Sequence, residues 1–312
     1  MKVFFFGLGY CAEALIRRTP SIEPSGTVRS DERVAEFRRR GVEVFAFDGA
    51  RADPGVEDAL RRAEAVVVSI PPHGSEGPLD RFAEAIRAAP KLRRVLYYST
   101  VGVYGEHGPA WIDETSPTVT RNERGLARLA DEKRWIEAGR ARGAALIRPA
   151  GAGHLLPQVG EGTAVDILRL PGIYGPGRNA LVKLRQGEAR RIVKAGHVAN
   201  RAHVEDIAEV TRLALERGLD GQIWNVADDE PAPPQDVIAY AAMLLGVEPP
   251  PEEPFDATNL SEMSASFFAE EKRVSNAKAK RLLGFAPAYP TYREGLTALF
   301  QAGERGGGAA LT

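Results

Sequence analysis

KVFFFGLGYCAEALIRR, Lys2 to Arg18, is the stretch on which the fold turns. A short apolar run ends at two glycines one residue apart, and an amphipathic segment closing on two arginines follows at once. That is a buried strand, a tight turn and a helix in immediate succession. The small residues fall in the pattern Gly7-x-Gly9-x-x-Ala12. In that pattern the backbone turns tightly, comes close to a pyrophosphate and aims helix N-terminal N–H groups at its charge. The spacing predicts a strand over Lys2–Phe6, a helix over Tyr10–Arg18 and a dinucleotide site on Gly7, Gly9, Tyr10 and Ala12. An ordinary βα turn carries similar residues, so the reading depends on whether the chain continues the pattern.

The chain does continue it. Short β-branched or aromatic runs alternate with Arg- and Ala-rich amphipathic stretches through the first half, the texture of βαβ units around a parallel sheet. Strands are predicted at Gly26–Arg29, Val42–Phe47, Ala65–Ser69 and Arg94–Ser99, with helices at Asp31–Arg40, Val56–Arg61 and Leu79–Ala88. A further helix is predicted over Arg124–Ala141, then strands at Ala144–Ile147 and Ala164–Leu170. The fold class expected is α/β, a doubly wound parallel sheet of Rossmann type. GAGHLLPQVGEG, residues 151–162, reads as a surface loop or insertion. Beyond Tyr174 the proline-rich stretches PAPPQ and EPPPEEPF flank helical segments at Asp236–Leu245 and Asn276–Leu283, which suggests a smaller C-terminal α+β substrate lobe. The expected division is residues 1–172 for the nucleotide domain, 173–300 for the lobe with some returning sheet elements, and 301–312 for a flexible tail.

Charge narrows the partners. The 41 basic and 42 acidic residues nearly cancel, so no long-range field favours nucleic acid or an anionic membrane, and a small molecule is the expected partner. A lone Cys11 forms no intramolecular disulfide and reads as packing. The apolar start is broken by glycines and Glu13, and no segment reaches about 20 apolar residues. A soluble cytoplasmic protein is the expectation. The acidic run NVADDE, Asn225 to Glu230, lacks the spread of a ligand frame and is read as a solvated turn, with no metal site.

About 20 residues past the glycines, NAD-selective sites carry an acidic residue for the ribose hydroxyls. Here the chain reads VRSDE, Val28 to Glu32. Arg29 can pair with a 2′-phosphate and Ser30 can add a hydrogen bond, which argues for NADP, with NAD as the alternative. The competing reading makes Arg29 a solvated surface cation and Ser30 a cap for the helix opened by Asp31 and Glu32. Asp48, in FAFDG, is placed to meet the adenine edge or to form a turn, and Ser69, closing the fourth strand, completes the cofactor set.

Four motifs in order carry a family resemblance: Gly7-x-Gly9 at the first turn, YYSTVGVYG at the fifth strand, RLPGIYGPGR after the sixth, and NRAHVEDIA before the last helices. Together they resemble the extended short-chain dehydrogenases/reductases, especially the atypical branch similar to NAD-dependent epimerases/dehydratases, over the chain to about Leu299. The resemblance implies a Rossmann sheet with a C-terminal substrate lobe, a nucleotide-linked or phosphorylated substrate, and often a homodimer. It implies that Thr100 is the Ser/Thr bonding the reacting oxygen. It also puts Arg124 and Arg128 where the Tyr and Lys of the Tyr-x-x-x-Lys helix stand, and no tyrosine in the chain has a lysine four residues on.

That exchange changes the chemistry available. Moving a hydride from a carbinol requires a group to take the hydroxyl proton in the same transition state. A tyrosine beside a lysine does this, whereas an arginine holds its proton too tightly and instead clamps anions or stabilises an oxyanion. Tyr104, four residues after Thr100, is the candidate replacement acid/base, with packing or substrate stacking as the competing role. Tyr174 and His73 are further candidates, and His107 reads as a loop histidine. Arg169, flanked by apolar residues, is expected to make a specific ion pair, and Arg178 is free to meet a substrate phosphate. The resemblance implies that Arg201 and His203 line the substrate cleft and that Asp206 belongs to the start of a helix, while a buried structural histidine is the other reading of His203. Two functions stay open: an NAD(P)-dependent oxidoreductase or epimerase/dehydratase, and a catalytically silent NADP(H) sensor acting through a protein partner.

Overall fold

The computed structural model describes residues 1–72, 74, 76–146, 163–217, 219, 221–260 and 268–304, with backbone alone for 143–146. His73, the stretch 151–162 and the tail from 305 lie outside the described residues.

Strand β1 (Lys2–Phe6) is paired in parallel on both sides, to β2 (Glu23–Val28) and to β4 (Ala65–Val68). A central strand covered on both faces is apolar along its buried length, and after the exposed Lys2, Val3 to Phe6 are all fully buried. β3 (Glu43–Ala46) extends the sheet beyond β2, and β5 (Arg94–Thr100) extends it beyond β4, again in parallel. β7 (Ala164–Leu170) and β11 (Ile223–Asn225) complete a seven-stranded sheet in the order β11-β7-β5-β4-β1-β2-β3. The order reverses at β1, so the ligand crevice of such a sheet opens at the carboxyl ends of β1 and β4. Helices α1 (Tyr10–Arg18), α2 (Asp31–Arg39), α3 (Gly55–Arg62) and α4 (Pro78–Ala88) make the crossovers. The expected Rossmann-type sheet is present.

The largest departures from the expected boundaries are at β2 and α5 (Glu123–Leu146). β2 starts at Glu23, with Pro24 near its first residue, where a missing N–H costs little. Gly26 reads as a strand start but lies inside β2, where a Cβ would sit 2.4 Å from the carbonyl oxygen of Phe5. α5 runs from Glu123 to Leu146, so the described part of the strand expected at Ala144–Ile147 is helical. Arg142 accounts for the extension. Its buried guanidinium donates to the carbonyls of Ile86 (2.5 Å), Arg87 (2.8 Å), Ala89 (2.9 Å) and Leu92 (3.0 Å), tying the last turn of α5 to the end of α4 and the residues after it.

The chain forms two compact units, Met1–Thr100 with Leu126–Arg169 and Ala208–Trp224, and Val101–Gly125 with Leu170–Ile207 and Asn225–Thr312. The boundary expected near 172 falls beside one crossing, while residues 101–125 belong to the second unit and 208–224 return to the first. In the first unit Phe6, Phe47 and Phe82 pack ring on ring with centroids 5.4 to 6.2 Å apart. Arg94 on β5 meets Asp166 on β7 at 2.5 Å, and Asp166 also accepts from the Trp224 indole at 3.0 Å, tying three strands together inside the core.

The second unit is built on short parallel pairs. β6 (Trp111–Ile112) pairs with β13 (Arg273–Val274), β8 (Gly172–Tyr174) with β10 (Arg201–His203), and β9 (Arg191–Val193) with β12 (Glu252–Pro254). Its core gathers Tyr174, Leu181 of α6 (Ala180–Arg185), Ala241 of α8 (Pro234–Leu245), and Tyr292 and Leu296 of α10 (Tyr292–Gln301). α7 (Val204–Arg217) is shared by the units, and α9 (Ala277–Leu283) belongs to the second. Among the described residues no helix is long and apolar enough to cross a membrane.

Replacing Arg142 by Ala removes four charge-assisted hydrogen bonds between α5 and the end of α4, so the free energy of unfolding in urea is expected to fall by about 3 kcal/mol or more. Arg142→Lys should recover less than half, because an ammonium lacks the planar fork that reaches several acceptors. A loss under about 1 kcal/mol for Arg142→Ala would show that water serves these carbonyls equally well.

Candidate functional site

At the end of β1 the backbone enters the left-handed region at Gly7, with φ +97°. A side chain there would bring its Cβ to 2.6 Å from the Ser69 hydroxyl oxygen. That hydroxyl donates to the Gly7 carbonyl at 2.8 Å, so Ser69 supports the turn from the end of β4. From β2, Thr27 does the same: its Oγ1 accepts the Gly7 N–H at 3.1 Å and its carbonyl accepts the Leu8 N–H at 2.8 Å. Thr27 is fully buried, and no motif pointed to it, because its role depends on strand pairing rather than spacing. Gly9 caps α1 in an extended conformation and is exposed, and a Cβ there would meet no protein atom within 4 Å. Space beside Gly9 is therefore open to a ligand. Tyr10 is half-buried, and the small Ala12 is fully buried beneath α1.

At the end of β2, Arg29 is exposed. Ser30 caps α2, its hydroxyl oxygen accepting the Arg33 N–H at 3.4 Å. Arg33 itself is held by Glu13 and Glu36, at 2.8 and 2.6 Å. Asp48 makes a turn, accepting the Arg51 N–H on Oδ1 at 2.7 Å while its own N–H donates to the Arg51 carbonyl at 3.2 Å.

Thr100 is the last residue of β5 and is half-buried. Arg124 and Arg128 lie one turn apart near the start of α5 and differ in surroundings. Arg124 is exposed. Arg128 is half-buried and donates from Nη1 to the Tyr98 carbonyl at 2.7 Å and the Tyr97 hydroxyl at 3.2 Å. The group at the lysine position is thus bonded to strand β5. Burial pushes the Tyr97 phenol up from its ordinary value, against the pull of Arg128. One turn further along α5, Glu132 is buried and accepts the Ser99 hydroxyl at 2.5 Å and two donors of Arg169 at 3.1 and 2.7 Å. Arg169 therefore has the ion pair its apolar neighbours implied. Glu132 went unnoticed in the sequence because a lone carboxylate in a charged helix looks solvated.

In the second unit, Tyr104 is fully buried and its hydroxyl donates to Asn225 Oδ1 at 2.8 Å, the arrangement of a packed tyrosine. His107 bonds the Tyr104 and Pro117 carbonyls through Nε2, each at 3.1 Å, as a loop histidine. Tyr174 is buried, with its ring edge-on to His203 at 5.1 Å, whereas Arg178 is exposed. Arg201 and His203 are buried inside this unit. Arg201 donates to the Ala232 carbonyl at 3.3 Å and lies over the Tyr292 ring. His203 accepts the Glu205 N–H on Nδ1 at 3.2 Å, at the start of α7, and its ring centroid lies 3.9 Å from that of Tyr289. Asp206, in the first turn of α7, accepts the N–H groups of Ala288 and Tyr289. The solvated turn expected at NVADDE is instead partly internal: Asn225 and Asp228 are buried, and burial pushes the Asp228 carboxyl up to about 8 even beside Arg201. Strand β11 ends at Asn225 and draws the run inward.

No protein-family model matches the chain. It is 30% identical over 268 residues to Protein YeeZ of Escherichia coli K12, covering 80% of this chain and 85% of that one. It is 28% identical over 226 residues to a 3-diazoavenalumate denitrifying reductase of a Streptomyces species, covering 68% of this chain and 66% of the reductase. Among solved structures, a conserved protein of unknown function from Silicibacter pomeroyi DSS is 37% identical with a TM-score of 0.80, over 96% of this chain and 98% of its own. A putative NAD-dependent epimerase/dehydratase from Methylobacillus flagellatus is 25% identical with a TM-score of 0.65, over the same shares, 96% and 98%. UDP-glucuronic acid 4-epimerase from Bacillus cereus, solved with UDP-glucuronic acid and NAD, shares the fold at 17% identity, with a TM-score of 0.69 over 96% of this chain and 98% of its own.

Burial holds His203 neutral, lowering its pKa from 6.5 to about 4. A depressed histidine contributes stability that is complete above pH 6.5 and is lost as pH falls toward 4, since the unfolded chain takes up the proton first. Between pH 7 and pH 5 this group is expected to remove about 2 kcal/mol of unfolding free energy. His203→Asn keeps an acceptor for the Glu205 N–H and should flatten the pH dependence by that amount relative to wild type. Parallel curves for the two proteins would show that His203 titrates normally.

Proposed function

Because the chain belongs to the short-chain dehydrogenase/reductase family, in its atypical branch of NAD-dependent epimerase/dehydratase-like proteins, we propose that it is an NAD(P)-dependent oxidoreductase or epimerase/dehydratase. The substrate we assign is a nucleotide-linked or otherwise phosphorylated polar metabolite, and the cofactor is NADP(H). The observation that carries this reading is the β1–α1 turn, where Gly7 is locked against Ser69 while Gly9 faces open space at a helix N-terminus. These residues fit a dinucleotide, with Gly7, Gly9, Tyr10 and Ala12 on the pyrophosphate side and Ser69 behind the turn. The nicotinamide, when bound, supplies or accepts the hydride.

The remaining roles belong to this chain's side chains. Exposed Arg29 and the Ser30 hydroxyl receive the 2′-phosphate, and Asp48 faces the adenosine half. Thr100 hydrogen-bonds the reacting oxygen and relays its proton to or from solvent, since the Tyr104 hydroxyl already donates to Asn225. Arg124 holds an anionic part of the substrate or charge developing on that oxygen, and Arg178 holds a phosphate. Arg128 keeps α5 on β5. The relative named as a denitrifying reductase supports reduction as the reaction type, and the epimerase that binds UDP-glucuronic acid supports the nucleotide-linked substrate.

The attachment of Arg128 to the Tyr98 carbonyl favours one other reading, an NADP(H)-binding sensor without turnover, because the residue at the lysine position serves the sheet.

Isotope transfer separates the two. Protein loaded with NADPH deuterated at the nicotinamide and given a metabolite extract is expected to label one compound by mass spectrometry, and Thr100→Val should slow that labelling by about a hundredfold. Unchanged labelling in Thr100→Val would remove Thr100 from the reaction, and cofactor binding without any label would favour the sensor. Separately, Arg29→Ala is expected to weaken NADPH about tenfold while leaving NADH unchanged, by equilibrium binding. Equal affinities before and after the substitution would end the 2′-phosphate assignment.

A further inference from the structure

The residues around Thr100 contain a buried network that the proposed chemistry does not use. On β5, three successive residues are treated differently. The Tyr98 carbonyl accepts Arg128 Nη1 at 2.7 Å, the Ser99 hydroxyl donates to Glu132 Oε1 at 2.5 Å, and Thr100 ends the strand. Arg128 and Glu132 are four residues apart and so share one face of α5. Glu132 is in turn gripped by Arg169 of β7 through Nε at 3.1 Å and Nη2 at 2.7 Å, and Ser99, Glu132 and Arg169 are all buried. A two-pronged guanidinium–carboxylate contact fixes both distance and orientation, and burial keeps water from competing for it.

We propose that Glu132 is a positioning residue: by accepting Ser99 and Arg169 together, it fixes the carboxyl end of β5, and hence Thr100, relative to α5 and β7 on the nicotinamide side of the crevice. Among the described residues, none of the bonds above reaches β1 or β2, the strands of the adenosine side. Glu132 therefore governs the nicotinamide half of the binding energy and leaves the adenosine half alone. This rests on the dinucleotide-enzyme reading above.

The test compares cofactor with its nicotinamide-free fragment, NADPH against 2′-phospho-ADP-ribose and NADH against ADP-ribose, by calorimetry. Wild type reads the premise by itself: if it binds neither cofactor, the dinucleotide reading fails and this inference falls with it. Given binding, the fragment-to-cofactor ratio of dissociation constants measures what the nicotinamide half contributes. Glu132→Gln combined with Arg169→Met removes both charges, so neither is left buried alone. In that variant the ratio is expected to fall about fivefold or more, with fragment affinity within about twofold of wild type. Ser99→Ala leaves the ion pair intact and should shift the ratio in the same direction by a smaller factor, which keeps the test available if the double variant does not fold. Equal weakening of cofactor and fragment, or a folded variant with an unchanged ratio, overturns the proposal, because a purely structural network would not distinguish the two halves.

Discussion

A guanidinium taken out of water must find acceptors for its donors, or burial costs more than packing returns. The first unit meets that demand repeatedly around β5. Arg94 leaves the start of the strand for Asp166, Arg169 crosses from β7 to Glu132, and Arg142 crosses from α5 to the end of α4. Arg128, half-buried, caps the Tyr98 carbonyl. Each of these contacts joins two different elements, so together they fix α4, α5, β5 and β7 in one frame. Ion pairs of this kind roughly break even against apolar packing in stability. What they add is direction, since a planar fork accepts few alternative geometries. At the carboxyl end of β5 that direction is passed to Thr100, the last residue of the strand.

The glycine turn shows the same economy with the opposite material. Gly7 is held where no side chain fits, between Ser69 from one neighbouring strand and Thr27 from the other, so the turn is shaped by β4 and β2 together. Gly9, two residues on, is unconfined by protein. One glycine is required by the protein's own packing, and the next leaves its side of the turn open. A motif read as a single signature therefore contains two different constraints.

How much of this was legible from the sequence follows from how local each determinant is. The β1–α1 unit was readable because an apolar run, a left-handed glycine and a small helix residue sit within the ten positions from Val3 to Ala12. The ion pair of Arg169 was readable from its apolar flanks, but not its partner, since Glu132 is 37 residues away on a helix rich in charge. The end of α5 was misread for the same reason: Arg142 is held by carbonyls 50 to 56 residues earlier, so nothing beside it announces a helix. Arg201, His203 and Asp228 carry motif-like surroundings, and only the packing of β10 and β11 shows that they point inward. Asp48 could be read as an adenine contact or a turn, and the Arg51 N–H on its carboxylate supplies the turn.

Two arginines at the positions where the resemblance implies Tyr and Lys have a physical sense that depends on burial. A lysine can be tuned by its surroundings to help a phenol lose its proton, whereas an arginine stays charged in nearly any setting. Placed against the sheet, that fixed charge is useful as a permanent donor, which is how Arg128 is used on the Tyr98 carbonyl. Left exposed one turn earlier, as Arg124 is, the same charge is available to an anion. Neither arrangement supplies a proton; both favour negative charge nearby. Under the proposed function, this composition would suit reactions in which the oxygen's charge is stabilised in place and its proton is exchanged through a hydroxyl and water. The hydroxyl at the end of β5, held by the network beneath it, is the group on which such chemistry would depend.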